Sequence, residues 1–342
     1  AKYISHRINP KFESIFAVGV DEMSWDDLND DHYNWPSVED VEDYRQKVKS
    51  CVLKQIDTLP LGTSIGWHDP FWVILMGIEH DRIHLETSSV IIRQLPLSDL
   101  SSSSKWTSCT LKGTPPKNVL QHVSKQNIIQ GKSEYDDYYG WDNEYGKEEH
   151  LVEGFSASKF LVSNQEFLAF VKDKGYENNA YWTEEGQNWL AYTKANYPRF
   201  WQLDNQNNFQ LRLLTKVISM PWDWPVGVHY LEAKAFCNWL SKTTKASIRL
   251  PTESEWLGLI KENKINLMDK DHNSQLANIN LEHWASSCPV NTFKQGNFYD
   301  LTGNVWQWTE TPINGLSGFK AHPLYDDFST PTFDSQHNLM KG

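Results

Sequence analysis

His80 and His84 stand four positions apart in a stretch that reads as a helix. On an α-helix that spacing places both imidazoles on one face, one turn apart, so both can reach a single ion. Neutral imidazole is a good ligand for iron, zinc or copper. The competing reading is a pair of histidines on a solvated helix face, and spacing alone does not decide between them. A zinc-protease helix would carry Glu directly after the first histidine as general base. Asp81 occupies that position, one methylene shorter, and no third ligand follows downstream. A catalytic metal needs a three-ligand face that leaves positions open for substrate and O2. His6, His32 and His68 are the candidates for the third place. His68 lies about 18 Å from His80 along the axis at 1.5 Å per residue, so it would reach only if the chain folded back. Arg82 and Arg93 are of the type that grips a carboxylate bidentately, although each also suits a solvated helix charge.

Helices must position these groups. Ser37 with Asp40 resembles a capping box, and Val38, Val41, Tyr44, Val48 and Val52 then recur at steps of three and four. Asp69-Pro70 reads as an N-cap followed by proline at the first helical position, opening a second helix that runs to about Arg93 before Pro96. The Ser-, Lys- and Pro-rich run from Ser101 to about Pro116 reads as a linker or surface excursion. Beyond it the pattern changes to short strands, turns and isolated helices. Ser163 with Glu166 caps one helix, Leu231 to Leu240 is amphipathic, and Thr252 with Glu255 caps another. Ile248–Leu250 reads as a strand, as does Val305–Trp308 after a turn at Gly303-Asn304. Arg249 and Glu253 read as a buried structural pair, since buried charges are normally paired. Trp306 and Trp308, two apart on a strand, would share one face and pack in a core.

The 342 residues suffice for two domains. A hydrophobic fraction of 39% with 22% charged residues is a globular composition. The net charge of −12 argues against nucleic acid as a partner. The longest purely apolar run, Phe71–Met76, is far too short to span a membrane. Cys51, Cys109, Cys237 and Cys288 lie far apart without a Cys-x-x-Cys pair, a pattern that suits a reducing cytoplasmic setting. Both termini read as cut.

Several stretches carry a family resemblance. Phe16–Leu28, Trp35–Val38, Gly77–Ser89 and Ile92–Pro96 resemble the N-terminal DinB-like helical domain of the ovothiol A synthases, which are 5-histidylcysteine sulfoxide synthases. Tyr139–Glu144, Met220–Pro225, Arg249–Glu253 and Gly303–Trp308 resemble their formylglycine-generating, sulfatase-modifying-factor type domain, and His322–Pro331 also matches the ovothiol branch. The resemblance implies an α+β chain: a DinB-like helical bundle over 1–100, a linker over 101–117 and a C-type-lectin-like domain over 118–342. It implies Fe(2+) held by three histidines, two matching His80 and His84 and the third in a Gly-His-Thr segment upstream of Ala1. It implies that the second domain continues past Gly342, with a methyltransferase domain often following. Tyr325 matches the active-site tyrosine, a phenol able to deliver a proton or electron near the metal. The implied reaction couples L-cysteine to L-histidine with O2. The rival readings are an ergothioneine-type synthase acting on hercynine, a formylglycine-generating oxidase and a non-catalytic lectin-like binding module.

Overall fold

The computed structural model describes residues 7–16, 34–267, 275–326 and 328–342. The chain divides into two compact units that interleave in sequence. The first comprises Ala1–Ile83, Gly131–Glu148 and Asn314–Asp334; the second comprises His84–Gln130, Glu149–Ile313 and Ser335–Gly342. The division follows packing and does not coincide with the boundaries expected at residues 100 and 117. Among the described residues no helix is long and apolar enough to cross a membrane.

The helices expected in the first hundred residues are present: α1 (Pro10–Ile15), α2 (Val38–Thr58) and α3 (Trp72–Ile92). Ser37 caps α2 by accepting from the Asp40 amide. The expected buried face of α2 is not realised among the described residues. Val41, Tyr44 and Val48 are half-buried, Val52 is exposed, and Val38, in the first turn, is 86% exposed. Tyr44 packs edge-on to Phe12 of α1 at 5.5 Å. The start of α3 lies two residues later than Asp69-Pro70 suggests. The Asp69 carboxylate accepts from Phe71 N–H at 2.7 Å, and a preliminary turn precedes the first helical residue.

The buried core of the first unit lies where α3 begins. Trp67, Phe71, Trp72 and Tyr145 are buried there together with Asp142, His322 and Ser329. Two glycines allow the segments 131–148 and 314–334 to close upon each other. Gly131 (φ +95°) is a position where a Cβ would lie 2.2 Å from the Gly146 carbonyl oxygen. Gly146 (φ +121°) would place one 2.8 Å from the Leu316 side chain. Lys147 N–H then donates to Ser317 O at 2.9 Å.

The second unit mixes helices and short strands. β1 (Leu120–Val123) pairs antiparallel with β4 (Phe155–Ser158), and β2 (Gln126–Gln130) with β3 (Glu148–Val152). β5 (Trp201–Leu203), β6 (Phe209–Arg212) and β7 (Val217–Ser219) form an antiparallel sheet. β8 (Lys294–Gln295) pairs with β9 (Phe298–Tyr299), and β10 (Gln307–Pro312) with β11 (Asn338–Lys341). Capping boxes open α4 (Asn164–Lys172) at Ser163/Glu166 and α7 (Glu253–Glu262) at Thr252/Glu255, as the sequence suggests. α5 (Glu184–Thr193) and α4 both pack on α6 (Tyr230–Thr244), around Phe167, Phe170, Trp182 and Phe236.

Three local readings change. Ile248–Leu250 is not a strand, because its backbone finds no ladder partner; Ile248 exchanges both backbone bonds with the Ser241 hydroxyl. Arg249 grips Glu255 bidentately at 2.6 and 2.7 Å, while Glu253 pairs with Lys341 at 2.5 Å. The third helical position turns Glu255 back toward the cap, within reach of Arg249, whereas the first turns Glu253 away. Trp306 lies before β10, 54% exposed, with its indole N–H donated to Glu86 at 2.7 Å. The 101–116 run has no helix or strand and is mostly exposed, as a surface excursion would be; Ala285 N–H donates to Thr107 O, and Cys109 N–H to the Ser286 hydroxyl.

Asp300 is fully buried in a left-handed conformation (φ +50°) and accepts from the Asn304 amide at 3.1 Å. Its other oxygen has no partner among the described residues. Burial pushes this carboxyl from 3.8 up to about 8, against the smaller opposing pull of the Asn304 donor. Between those values the folded chain keeps a proton that the unfolded chain has released, so stability falls as pH rises through the window. Asp300→Asn keeps an acceptor for Asn304 and should flatten that decline in urea midpoints from pH 5 to pH 8. An unchanged slope would place the pH dependence elsewhere.

Candidate functional site

α3 is a continuous helix, and His80 and His84 occupy consecutive turns of it, His80 half-buried and His84 exposed. The boundary between the two compact units falls inside this helix, after Ile83. Within the first unit the ring of Tyr325 approaches His80 edge-on, with centroids 6.0 Å apart and planes at 74°. Tyr325 stacks on Phe328 at 5.2 Å, and Phe328 stacks on Trp141 at 4.1 Å. The phenol is thus held by a wall of rings beside one of the two imidazoles.

The loop bearing Tyr325 is anchored through His322. That imidazole lies parallel to Trp72 at 3.5 Å and edge-on to Trp67 at 4.5 Å. Its Nδ1 accepts from Leu324 N–H at 3.3 Å, which leaves Nε2–H to donate to Trp67 O at 3.2 Å. Burial lowers its pKa, partly opposed by the Trp67 carbonyl and the Asp142 charge, and so keeps the ring neutral. Asp142 receives the Ser329 hydroxyl and the His322 amide. Sequence reasoning assigned no role to Asp142, His322, Ser329, Trp141 or Phe328.

The two arginines do different work. Arg82 pairs with Glu79 at 2.7 Å on an exposed surface, a contact of about 0–1 kcal/mol. Arg93 belongs to the second unit, where its Nε–H donates to Arg212 O at 2.6 Å and its guanidinium lies 3.8 Å over the Phe200 ring. Arg212 in turn donates to Leu95 O and Leu214 O, so the pair ties the end of α3 to β6. Burial, then the neighbouring Arg212 charge, lowers the pKa of Arg93 to about 10.

Two imidazoles on consecutive helical turns fit ferrous iron in donor type and spacing. Among the described residues no group of three His, Cys, Asp or Glu side chains is placed to hold one ion. His68, paired with Glu134 at 3.5 Å, therefore does not complete the set. His6 and His32 lie outside the described residues.

The sequence pattern of the sulfatase-modifying factor enzyme 1-like domain matches residues 114–321, more than half of the chain. The chain belongs to that family. The expected formylglycine-generating type of domain in the second half is thereby found. Hercynine oxygenase of Mycolicibacterium thermoresistibile is 27% identical, over 84% of this chain and 63% of its own length. Hercynine oxygenase of Mycolicibacterium smegmatis is 25% identical, over 95% of this chain and 75% of its own. Ergothioneine biosynthesis protein 1 of Schizosaccharomyces pombe is 22% identical, over 90% of this chain and 40% of its own. The chain thus spans only part of each relative. All three are named for hercynine or ergothioneine and none for ovothiol.

If α3 presents a metal, His80→Ala and His84→Ala should each weaken ferrous-iron binding beyond the roughly 10–100-fold typical of losing an outer-shell partner. Because His84 is exposed, His84→Ala should leave the thermal midpoint nearly unchanged. Iron near one per chain in both variants, by elemental analysis, would remove these residues from the ligand set.

Proposed function

We propose that this member of the sulfatase-modifying-factor family is an O2-dependent, iron-dependent sulfoxide synthase that joins a cysteine-type thiol to the imidazole ring of hercynine. The observation that carries this reading is the relationship to hercynine oxygenases over 84% and 95% of the chain. The edge-on meeting of Tyr325 and His80 beside a His-x-x-x-His helix agrees with it. Free L-histidine as the acceptor, the ovothiol-type reaction, is the second reading. It is favoured by the Phe16–Leu28, Gly77–Ser89 and His322–Pro331 segments, as is a DinB-like identity for the N-terminal helices. A non-catalytic binding module gives no account of two imidazoles on consecutive turns of one helix with a phenol ring edge-on to one of them.

Atoms and electrons balance without a further reductant: thiol, imidazole C–H and O2 give sulfoxide and water. Formation of the C–S bond supplies two electrons and oxidation of sulfur two more, together reducing O2. Iron held by His80 and His84, with a further donor from outside the described residues, would supply O2 activation when bound. The protein's own residues do the rest. α3 carries the two imidazoles on consecutive turns. Tyr325, its ring edge-on to His80, would supply the Oη proton to the reacting oxygen. Trp141 and Phe328 pack against the half-buried phenol ring and fix its orientation.

The competing fate of the thiol is capture of both O2 atoms to give a sulfinic acid, with no imidazole involved. Tyr325→Phe removes one oxygen and little volume, so fold and iron content should persist. The product ratio, read by mass spectrometry at equal O2 consumption, should move from sulfoxide toward sulfinic acid. An unaltered ratio with iron intact would reduce Tyr325 to a packing residue.

The acceptor is decided by kinetics on the intact protein with cysteine, free or in a small peptide, as the thiol. Hercynine should exceed histidine in kcat/KM by roughly 10-fold or more, the scale on which a fitted pocket discriminates methyl groups. A preference for histidine would establish the second reading, and coupling of neither would overturn both.

A further inference from the structure

Asp142 lies 2% exposed at the first position of the turn Asp142–Glu144. No ion pair to it forms among the described residues. Both carboxylate oxygens are committed to one loop: Oδ1 accepts the Ser329 hydroxyl, and Oδ2 accepts His322 N–H at 3.4 Å. These donors stand three residues before and four residues after Tyr325. One buried carboxylate therefore closes the Tyr325 loop at both of its ends. Ser329 is 1% exposed and His322 3%, so neither bond is shared with bulk water.

The same loop is keyed to the helix that carries His80. His322 stacks on Trp72, the first residue of α3, and Trp72 donates its indole N–H to Gly140 O at 3.2 Å, two residues before Asp142. His80 lies eight residues along that helix from Trp72, about 12 Å at 1.5 Å per residue. The phenol and the imidazole thus hang from one frame, whose corners are Trp72, His322, Ser329 and Asp142. A carboxylate buried without a cation is a poor choice for stability alone, where apolar packing of similar volume does as well or better. Its two directed bonds do set the conformation of a loop.

We propose that Asp142 is a positioning residue that fixes Tyr325 relative to His80 by clamping both ends of the 322–329 loop. The proposal rests on the sulfoxide synthase reading only for its catalytic consequence; the clamp itself is tested without turnover. In Asp142→Asn one acceptor oxygen becomes an NH2 donor and the carboxylate charge is lost, so the charge-assisted bonds to Ser329 and His322 weaken at nearly constant volume. In the metal-free protein, amide exchange across residues 322–329 should accelerate by about tenfold or more relative to the rest of the first unit. In the iron-loaded protein, iron content should equal wild type while products shift from sulfoxide toward sulfinic acid. Asp142→Asn should add no further shift to Tyr325→Phe, because the two act through one group. If Asp142→Asn does not fold, Ser329→Ala replaces it and should reproduce both effects, with Ser329→Thr restoring them through its retained hydroxyl. Unchanged exchange would overturn the clamp. Altered exchange with an unchanged product ratio would overturn the positioning role. Should wild type make neither product, the proposed reaction fails and the exchange result alone decides whether Asp142 holds the loop.

Discussion

A neutral imidazole laid parallel to one indole and edge-on to another is stable only while both of its nitrogens are satisfied. His322 meets that condition between Trp72 and Trp67, accepting from Leu324 N–H and donating to Trp67 O. Much of the first unit depends on this contact. It joins the approach to α3 to a segment 255 residues away in sequence, and it anchors the loop on which Tyr325 sits. Burial of the ring disfavours its charged form, so acidification works against the stack. The polar side of the assembly, Asp142 and Ser329, holds the same loop by directed bonds, while the aromatic side supplies most of the buried area.

The architecture separates rigidity from chemistry. The capped helices α4, α6 and α7 and their aromatic neighbours make the dense packing of the second unit. α2 buries no residue, and α3 buries only Trp72. Within the first unit Trp72 anchors the start of α3 on Gly140, and within the second the Arg93–Arg212 tie holds its end.

What the sequence made legible was local. Ser163 with Glu166 and Thr252 with Glu255 were readable as caps because a capping box is closed within four residues. His80 and His84 were readable as a face because helical periodicity alone places them. Readings that needed a distant partner fared worse. Ile248–Leu250 has strand-like side chains but no strand beside it, and Arg249 had two glutamates within reach that only the helix start could separate. Trp306 looked like core and instead donates to Glu86, 220 positions away. Asp142 and Ser329 are joined across 187 positions; each lies in a segment that carries the family resemblance, but no spacing pairs one with the other. Tyr325 was found only by resemblance to a family segment, not by any spacing.

These distances bear on what the chemistry demands. A thiol and O2 can give a sulfinic acid or, if an imidazole carbon is met first, a sulfoxide; both outcomes use the same oxidant and need no added reductant. Selection between them is therefore a matter of where groups stand when oxygen reacts. Effects of that kind are lost with displacements of about 1 Å. A phenol on a surface loop is a poor instrument for such control unless the loop is held from several directions. Here it is held at both ends by one carboxylate, at one end by a stacked imidazole, and along its ring by Trp141 and Phe328. A chain whose only task was to bind a small molecule would gain little from four such restraints on one tyrosine. Under the proposed reaction, steering one oxidant between two products would give each of them a use.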